Sequence, residues 1–210
     1  TYDIAQLIHQ MDLAPLTIIG HSMGSSIGLR YTGLYPDNVK KIVGIEGLGG
    51  APQRARHRTD KVTHERFTTW IEETRALAAR VPHRYATFDE TLDRMRDANK
   101  HLRADQARHL TMHGINQNED GTYSWKFDNY VRAFTPFGID EAETQSLWER
   151  ISCPTLLIRG GDSWAKDPDE LGIPDHFNNA DFVTVEGAGH WVHHDKLDAF
   201  LKLVRDFLGR

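Results

Sequence analysis

One cysteine, Cys153, is all the chain offers for disulfide chemistry, so no internal bridge can form. It precedes Pro154 and reads as a small buried side chain at the start of an apolar strand, not as a nucleophile. Cationic residues are outnumbered, 25 Lys and Arg against 30 Asp and Glu, for a formal net charge of -5. A nucleic-acid surface wants a basic face, so that class of partner is not expected. The short basic run of Arg54, Arg56, Arg58 and Lys61 reads as a solvated loop. No stretch approaches the roughly 18–20 consecutive apolar residues of a membrane span. Leader-peptide patterning, internal repeats and low-complexity tracts are also missing. The expectation is a cytoplasmic protein with a small-molecule partner. A chain of 210 residues has room for one domain with an insertion.

What is present concentrates in five residues, Gly20-His21-Ser22-Met23-Gly24. A β-rich run, Leu16-Thr17-Ile18-Ile19, precedes them, and a helix-like stretch over 25–35 follows. Strand, sharp turn and helix with a serine at the apex is the context that a G-x-S-x-G nucleophile elbow requires. The turn strains the serine backbone and crowds the positions two before and two after it, where only glycine-sized residues are expected. A serine hydroxyl is a poor nucleophile until a base takes its proton, so a base must lie near.

The C-terminal part supplies a candidate. Residues 181–186 read as a strand and run into Gly187-Ala188-Gly189-His190. An amphipathic helix follows over 197–208, with Leu197, Phe200, Leu201, Val204 and Leu208 at three- and four-residue intervals. His190 therefore sits on a glycine-rich loop just past a strand end, where a base can reach a serine at another strand end. His193 and His194 fall on the next turn, and His21 reads as shaping the pocket beside the serine. Trp191 reads as core packing.

On these residues the chain resembles the α/β-hydrolase superfamily. The resemblance rests on Gly20 to Gly24, on the strand and glycine turn over 154–162, and on the segment 187–194. It implies an α/β fold with a partly present core over 1–50 and 151–210, and a helical cap inserted at 51–150. It implies that Ser22 is the nucleophile, His190 the general base and acid, and the Met23 backbone N–H one oxyanion-hole donor. The acid stays open between two residues. Asp162 follows the strand 155–159 and Gly160-Gly161, and the chain order Ser22, Asp162, His190 favours it. The family's common Gly-x-x-Asp spacing, however, puts Ser163 where the acid belongs. Glu46 ends the strand after the nucleophile helix, where relatives such as haloalkane dehalogenases carry their acid.

The elbow comes at residue 22, whereas family members place several strands and the loop with the second oxyanion donor before it. Losing one such donor costs on the order of 10²–10³ in rate. The expectation is therefore the C-terminal portion of a larger protein, with a preceding segment or a partner chain supplying the rest.

The middle third turns from β-branched runs to charged, helical patterning. Phe67, Trp70, Ile71, Thr74, Leu77 and Ala78 share one helical face. Leu92 and Met95 mark a second helix, and Ala107, Leu110 and Met112 a third. Asn118-Glu119-Asp120-Gly121 is a turn signal before the alternating aromatic run 122–127. A fourth cap helix is expected over 143–151 with Leu147 and Trp148 inward. Trp70, Trp125, Phe134 and Trp164 are the candidates for lining a substrate pocket. The constellation implies a serine hydrolase cleaving a carboxylic ester or related acyl bond of a small to medium, partly apolar substrate, with no cofactor and no metal. The alternative is a ligand-binding or scaffolding protein that keeps the fold without the chemistry.

Overall fold

The computed structural model describes residues 1–48, 62–100, 102–128, 130 and 138–209. The chain divides into two compact units, Thr1–Pro52 with Ile139–Arg210, and Gln53–Gly138.

The first unit is built on a parallel sheet of β1 (Leu16–His21), β2 (Val39–Ile45), β5 (Thr155–Gly160) and β6 (Ala180–Val185), in the order β1-β2-β5-β6. Parallel strands need helical crossovers, which cover both faces of the sheet. The sequence of β2 and β5 shows the consequence, since both are buried nearly end to end. Successive side chains point to opposite faces. Ile42 and Leu157 join one core with Leu29 and Tyr31 of α2 (Met23–Leu34), Ile8 of α1 (Tyr2–Gln10) and Trp148. Val43, Ile45, Leu156 and Ile158 join the other, with Val204 and Phe207 of α8 (Leu197–Gly209). The α8 periodicity seen in the sequence thus faces the sheet. Strand β1 is an edge among the described residues, and Ile19 on it is 52% exposed.

One expectation changes here. The helix expected in the cap is α6 (Glu141–Trp148), and it packs in the first unit, against α2. A Cβ on Gly33 of α2 would come within 2.3 Å of the Leu147 carbonyl oxygen, so glycine permits this approach. Trp148 is buried and stacks on Phe177 at 5.3 Å between ring centres. Its apolar face was legible, but the core that it joins was not.

The second unit holds α3 (Thr63–Ala78), α4 (Phe88–Ala98), α5 (Ala104–Gly114) and a small antiparallel pair, β3 (Ile115–Gln117) with β4 (Tyr123–Trp125). Thr87 caps α4 by accepting from the Glu90 N–H, and Glu90 accepts in return from the Ala86 N–H. Asn118 and Gly121 close the hairpin turn expected from the sequence.

Candidate active site

Four chain segments converge at the C-terminal ends of the parallel strands. The first is the elbow between β1 and α2. Ser22 sits there at φ 54°, a left-handed conformation that costs a non-glycine residue about 1–3 kcal/mol. Its N–H donates to the Ile45 carbonyl at 2.7 Å, which fastens the elbow to β2. A Cβ on Gly20 would lie 2.6 Å from the Gly24 carbonyl, so that glycine is sterically required. Gly24 differs from expectation, since a Cβ there meets nothing within 4 Å. It borders the open apolar groove alongside edge strand β1, so nothing crowds it.

The second segment ends β2. Glu46 is also held in the left-handed region, at φ 53°, by an N–H bond to the Ile158 carbonyl. This turn buries its side chain completely. The third is the turn after β5. A Cβ on Gly160 would lie 2.3 Å from the Gly189 carbonyl oxygen, so a glycine lets this turn pack onto the fourth segment, the His190 loop.

The side chains complete a relay. The Ser22 hydroxyl donates to His190 Nε2 at 3.0 Å, and His190 Nδ1–H donates to Glu46 Oε2 at 3.0 Å. Asp162 does not take part. Its side chain is exposed, its backbone N–H is tied to the Ala188 carbonyl, and His190 Nδ1 is already committed to Glu46. Chain order favoured Asp162, but strand order decides: β2 lies directly beside β5, with Ile45 in register with Ile158, so the end of β2 opens beneath the imidazole. Glu46 also accepts from the Gly160 N–H at 2.7 Å and the Ser163 hydroxyl at 2.6 Å. Burial pushes the Glu46 carboxyl pKa up, but the bonds from His190, Ser163 and Gly160 outweigh it and hold it below its ordinary value.

His21 is not a base toward Ser22. Its Nε2–H donates to the His190 backbone carbonyl at 2.8 Å, bracing the loop that carries the imidazole. Its ring lies 4.8 Å from those of both His190 and His193. Burial lowers the pKa of His21, partly offset by the His190 carbonyl. His193 is pushed down to about 4 by burial and then by His194 and His21. His193 and His194, placed on the next turn, are part-buried groups on α7 (Val192–Asp195) behind the imidazole.

Of the aromatic candidates, Trp164 stands at the site, its ring 5.1 Å from that of His190 and 52% exposed. Trp70 lies on α3 and Trp125 on β4, both in the second unit, and Phe134 falls outside the described residues. Met23 opens α2, so its backbone N–H is at the helix N-terminus, where partial positive charge gathers. Ser163 went unassigned in the sequence. The signal that could have found it was its place three residues after Gly160, at the position expected to carry an acid. Among the described residues no cluster of histidine, cysteine and carboxylate side chains could hold a metal ion, and no helix is long and apolar enough to cross a membrane.

The chain is similar to known proteins in both sequence and fold. The chain is 26% identical to a putative esterase/lipase of Haemophilus influenzae, over 99% of its own length and 65% of that protein. It is 28% identical to the mouse sn-1-specific diacylglycerol lipase ABHD11, over 98% of its own length and 63% of the relative. It therefore spans less than two thirds of either. Among solved structures, the hypothetical protein PA1622 of Pseudomonas aeruginosa superposes with a TM-score of 0.82 at 18% identity, covering all of this chain and 73% of that one. A family model for the alpha/beta hydrolase fold matches residues 2–197, and the chain belongs to that family.

Proposed function

We propose that this chain carries the catalytic core of a serine hydrolase that cleaves a carboxylic ester or related acyl bond through an acyl-enzyme. The observation that carries the reading is the continuous relay Ser22–His190–Glu46, with 3.0 Å at each link. The strained backbone at Ser22 supports it, because strain of this kind gathers where geometry serves chemistry. The two sequence relatives, a putative esterase/lipase and a diacylglycerol lipase, are consistent with an acyl substrate.

In this mechanism Ser22 Oγ attacks the substrate carbonyl as His190 Nε2 takes its proton. Glu46 holds the imidazole with Nδ1 protonated and Nε2 free to accept, and stabilises the imidazolium that forms. The carbonyl oxygen becomes an oxyanion facing the Met23 N–H, where the start of α2 favours negative charge. His190 then returns the proton to the leaving alcohol. Water, activated by the same imidazole, releases the acid and frees Ser22. The exposed indole of Trp164 beside His190 offers an apolar contact for the substrate.

The test is intact-mass spectrometry after exposure to a fluorophosphonate, with Ser22→Ala as control. A single adduct on Ser22 that is absent from the variant is the expected result. A folded protein that stays unlabelled while retaining ester hydrolysis would refute the mechanism.

A further inference from the structure

We propose that Ser163 is a positioning residue that acts through Glu46: its hydroxyl fixes the buried carboxylate that orients His190. This rests on the proposed triad and extends it by one residue. The bond from Ser163 Oγ to Glu46 Oε2 is 2.6 Å, shorter than the 3.0 Å from His190 Nδ1 to the same oxygen. Direction is set from the other side. Ser163 Oγ accepts from the Ala165 N–H at 3.2 Å, which leaves the hydroxyl proton to point at Glu46. Glu46 Oε1 is engaged separately by the Gly160 N–H. Each carboxylate oxygen thus has a donor from the end of β5 or the turn after it, and these bonds oppose rotation of the carboxylate plane away from the imidazole. This matters because the side chain is buried, and a buried charge short of donors swings or takes up a proton.

Among the described residues, several charged and titratable groups lie near this carboxylate, with Asp162 beside Ser163 and Glu186 against Gly161 in the same turn. His190 donates to it, and His21 lies behind His190. Arg159, Lys166, Asp167 and Asp169 line the same cavity of about 90 Å³ beside Glu46. Arg159 is already engaged, by the Ala165 carbonyl and by Asp167 at 3.5 Å. Ser163 is therefore the hydroxyl whose loss Glu46 would register directly.

The experiment measures ester hydrolysis against pH in the intact protein, for Ser163→Ala, Ser163→Thr, Glu46→Gln and the double variant Ser163→Ala with Glu46→Gln. Ser163→Ala is expected to lower kcat about ten- to a hundredfold, the scale of one hydrogen bond to a buried charge, with KM changed less than about twofold. Its acidic limb moves to higher pH, because a carboxylate with fewer donors protonates more readily. Ser163→Thr recovers most of the rate. In the Glu46→Gln background, Ser163→Ala has almost no further effect, which a merely structural role would not produce. If the alanine variant fails to fold, Ser163→Thr against Ser163→Val isolates the hydroxyl at equal bulk. Unchanged kcat and pH profile in Ser163→Ala, or losses that multiply in the double variant, overturn the proposal while leaving the triad standing. Hydrolysis that survives Ser22→Ala overturns the triad, and this proposal with it.

Discussion

Among the described residues, Ser22 and Glu46 each combine a positive-φ backbone with a side chain of the relay, part-buried at Ser22 and buried at Glu46. Each is held by a backbone bond to a neighbouring strand, Ser22 to Ile45 and Glu46 to Ile158. The pairing implies a sharp contrast between the two acids weighed from sequence. Glu46→Gln keeps size and shape but removes the charge that stabilises the imidazolium and selects its tautomer. Its kcat should fall about 10³–10⁴-fold, as losses of this kind do in serine hydrolases. Asp162→Asn, at an exposed side chain, should leave kcat within about twofold. Steady-state kinetics on an activated ester compares them, and a collapse of Asp162→Asn with Glu46→Gln intact would reverse the assignment. The nucleophile and base were legible because each sits in a local pattern, a strand–turn–helix for Ser22 and a glycine-rich loop for His190. The acid was not, because its partner lies 144 residues away in the chain. Nothing in the run of residues around Glu46 says which strand β2 will lie beside.

Elements were legible wherever one face repeats. The α8 stripe and the apolar run of β5 form where the patterns place them, and β4 (Tyr123–Trp125) forms inside the aromatic run 122–127. Periodicity identifies a buried face without saying what covers it, so the pattern of α6 fits a cap helix equally well although the helix packs on α2. The helix also starts earlier than its apolar residues suggest, because its N-terminus is fixed by a polar device. Asp140 accepts from the Glu143 N–H at 2.8 Å, and Glu143 accepts from the Asp140 N–H at 2.7 Å. This reciprocal box satisfies two donors that helix geometry leaves unpaired. Asp140→Ala should therefore destabilise the protein by about 1 kcal/mol, and Asp140→Asn by much less. Urea unfolding reads the difference as a shift in midpoint at constant slope. An alanine variant as stable as the parent would mean that packing of Leu147 and Trp148 alone fixes this end of the helix.

At the scale of the whole molecule, the histidines packed behind the active site link stability to pH. His21 and His193 both have pKa values held below the ordinary 6.5, His193 down to about 4, with burial the largest cause. The groups facing His193 are His21, His190, His194 and Asp195, and only the last favours its charged form. Between pH 6.5 and about 4 the unfolded chain binds protons at these positions that the folded chain refuses. Stability rises with pH wherever the unfolded state holds more protons, so here it must fall as the solution is acidified. Glu46 adds a second loss at lower pH, because its folded pKa is depressed and its contribution disappears as pH drops below the ordinary 4.5. The urea midpoint should thus be highest above pH 7 and decline through pH 5, before most surface carboxylates titrate. Replacing His193 with phenylalanine, which fills a similar flat space without a titratable nitrogen, should flatten the decline between pH 6.5 and 4. It should leave the steeper loss below 4.5 in place, since that part belongs to Glu46. A parent protein whose midpoint holds steady or rises from pH 6.5 to 5 would overturn the depressed pKa values of His21 and His193.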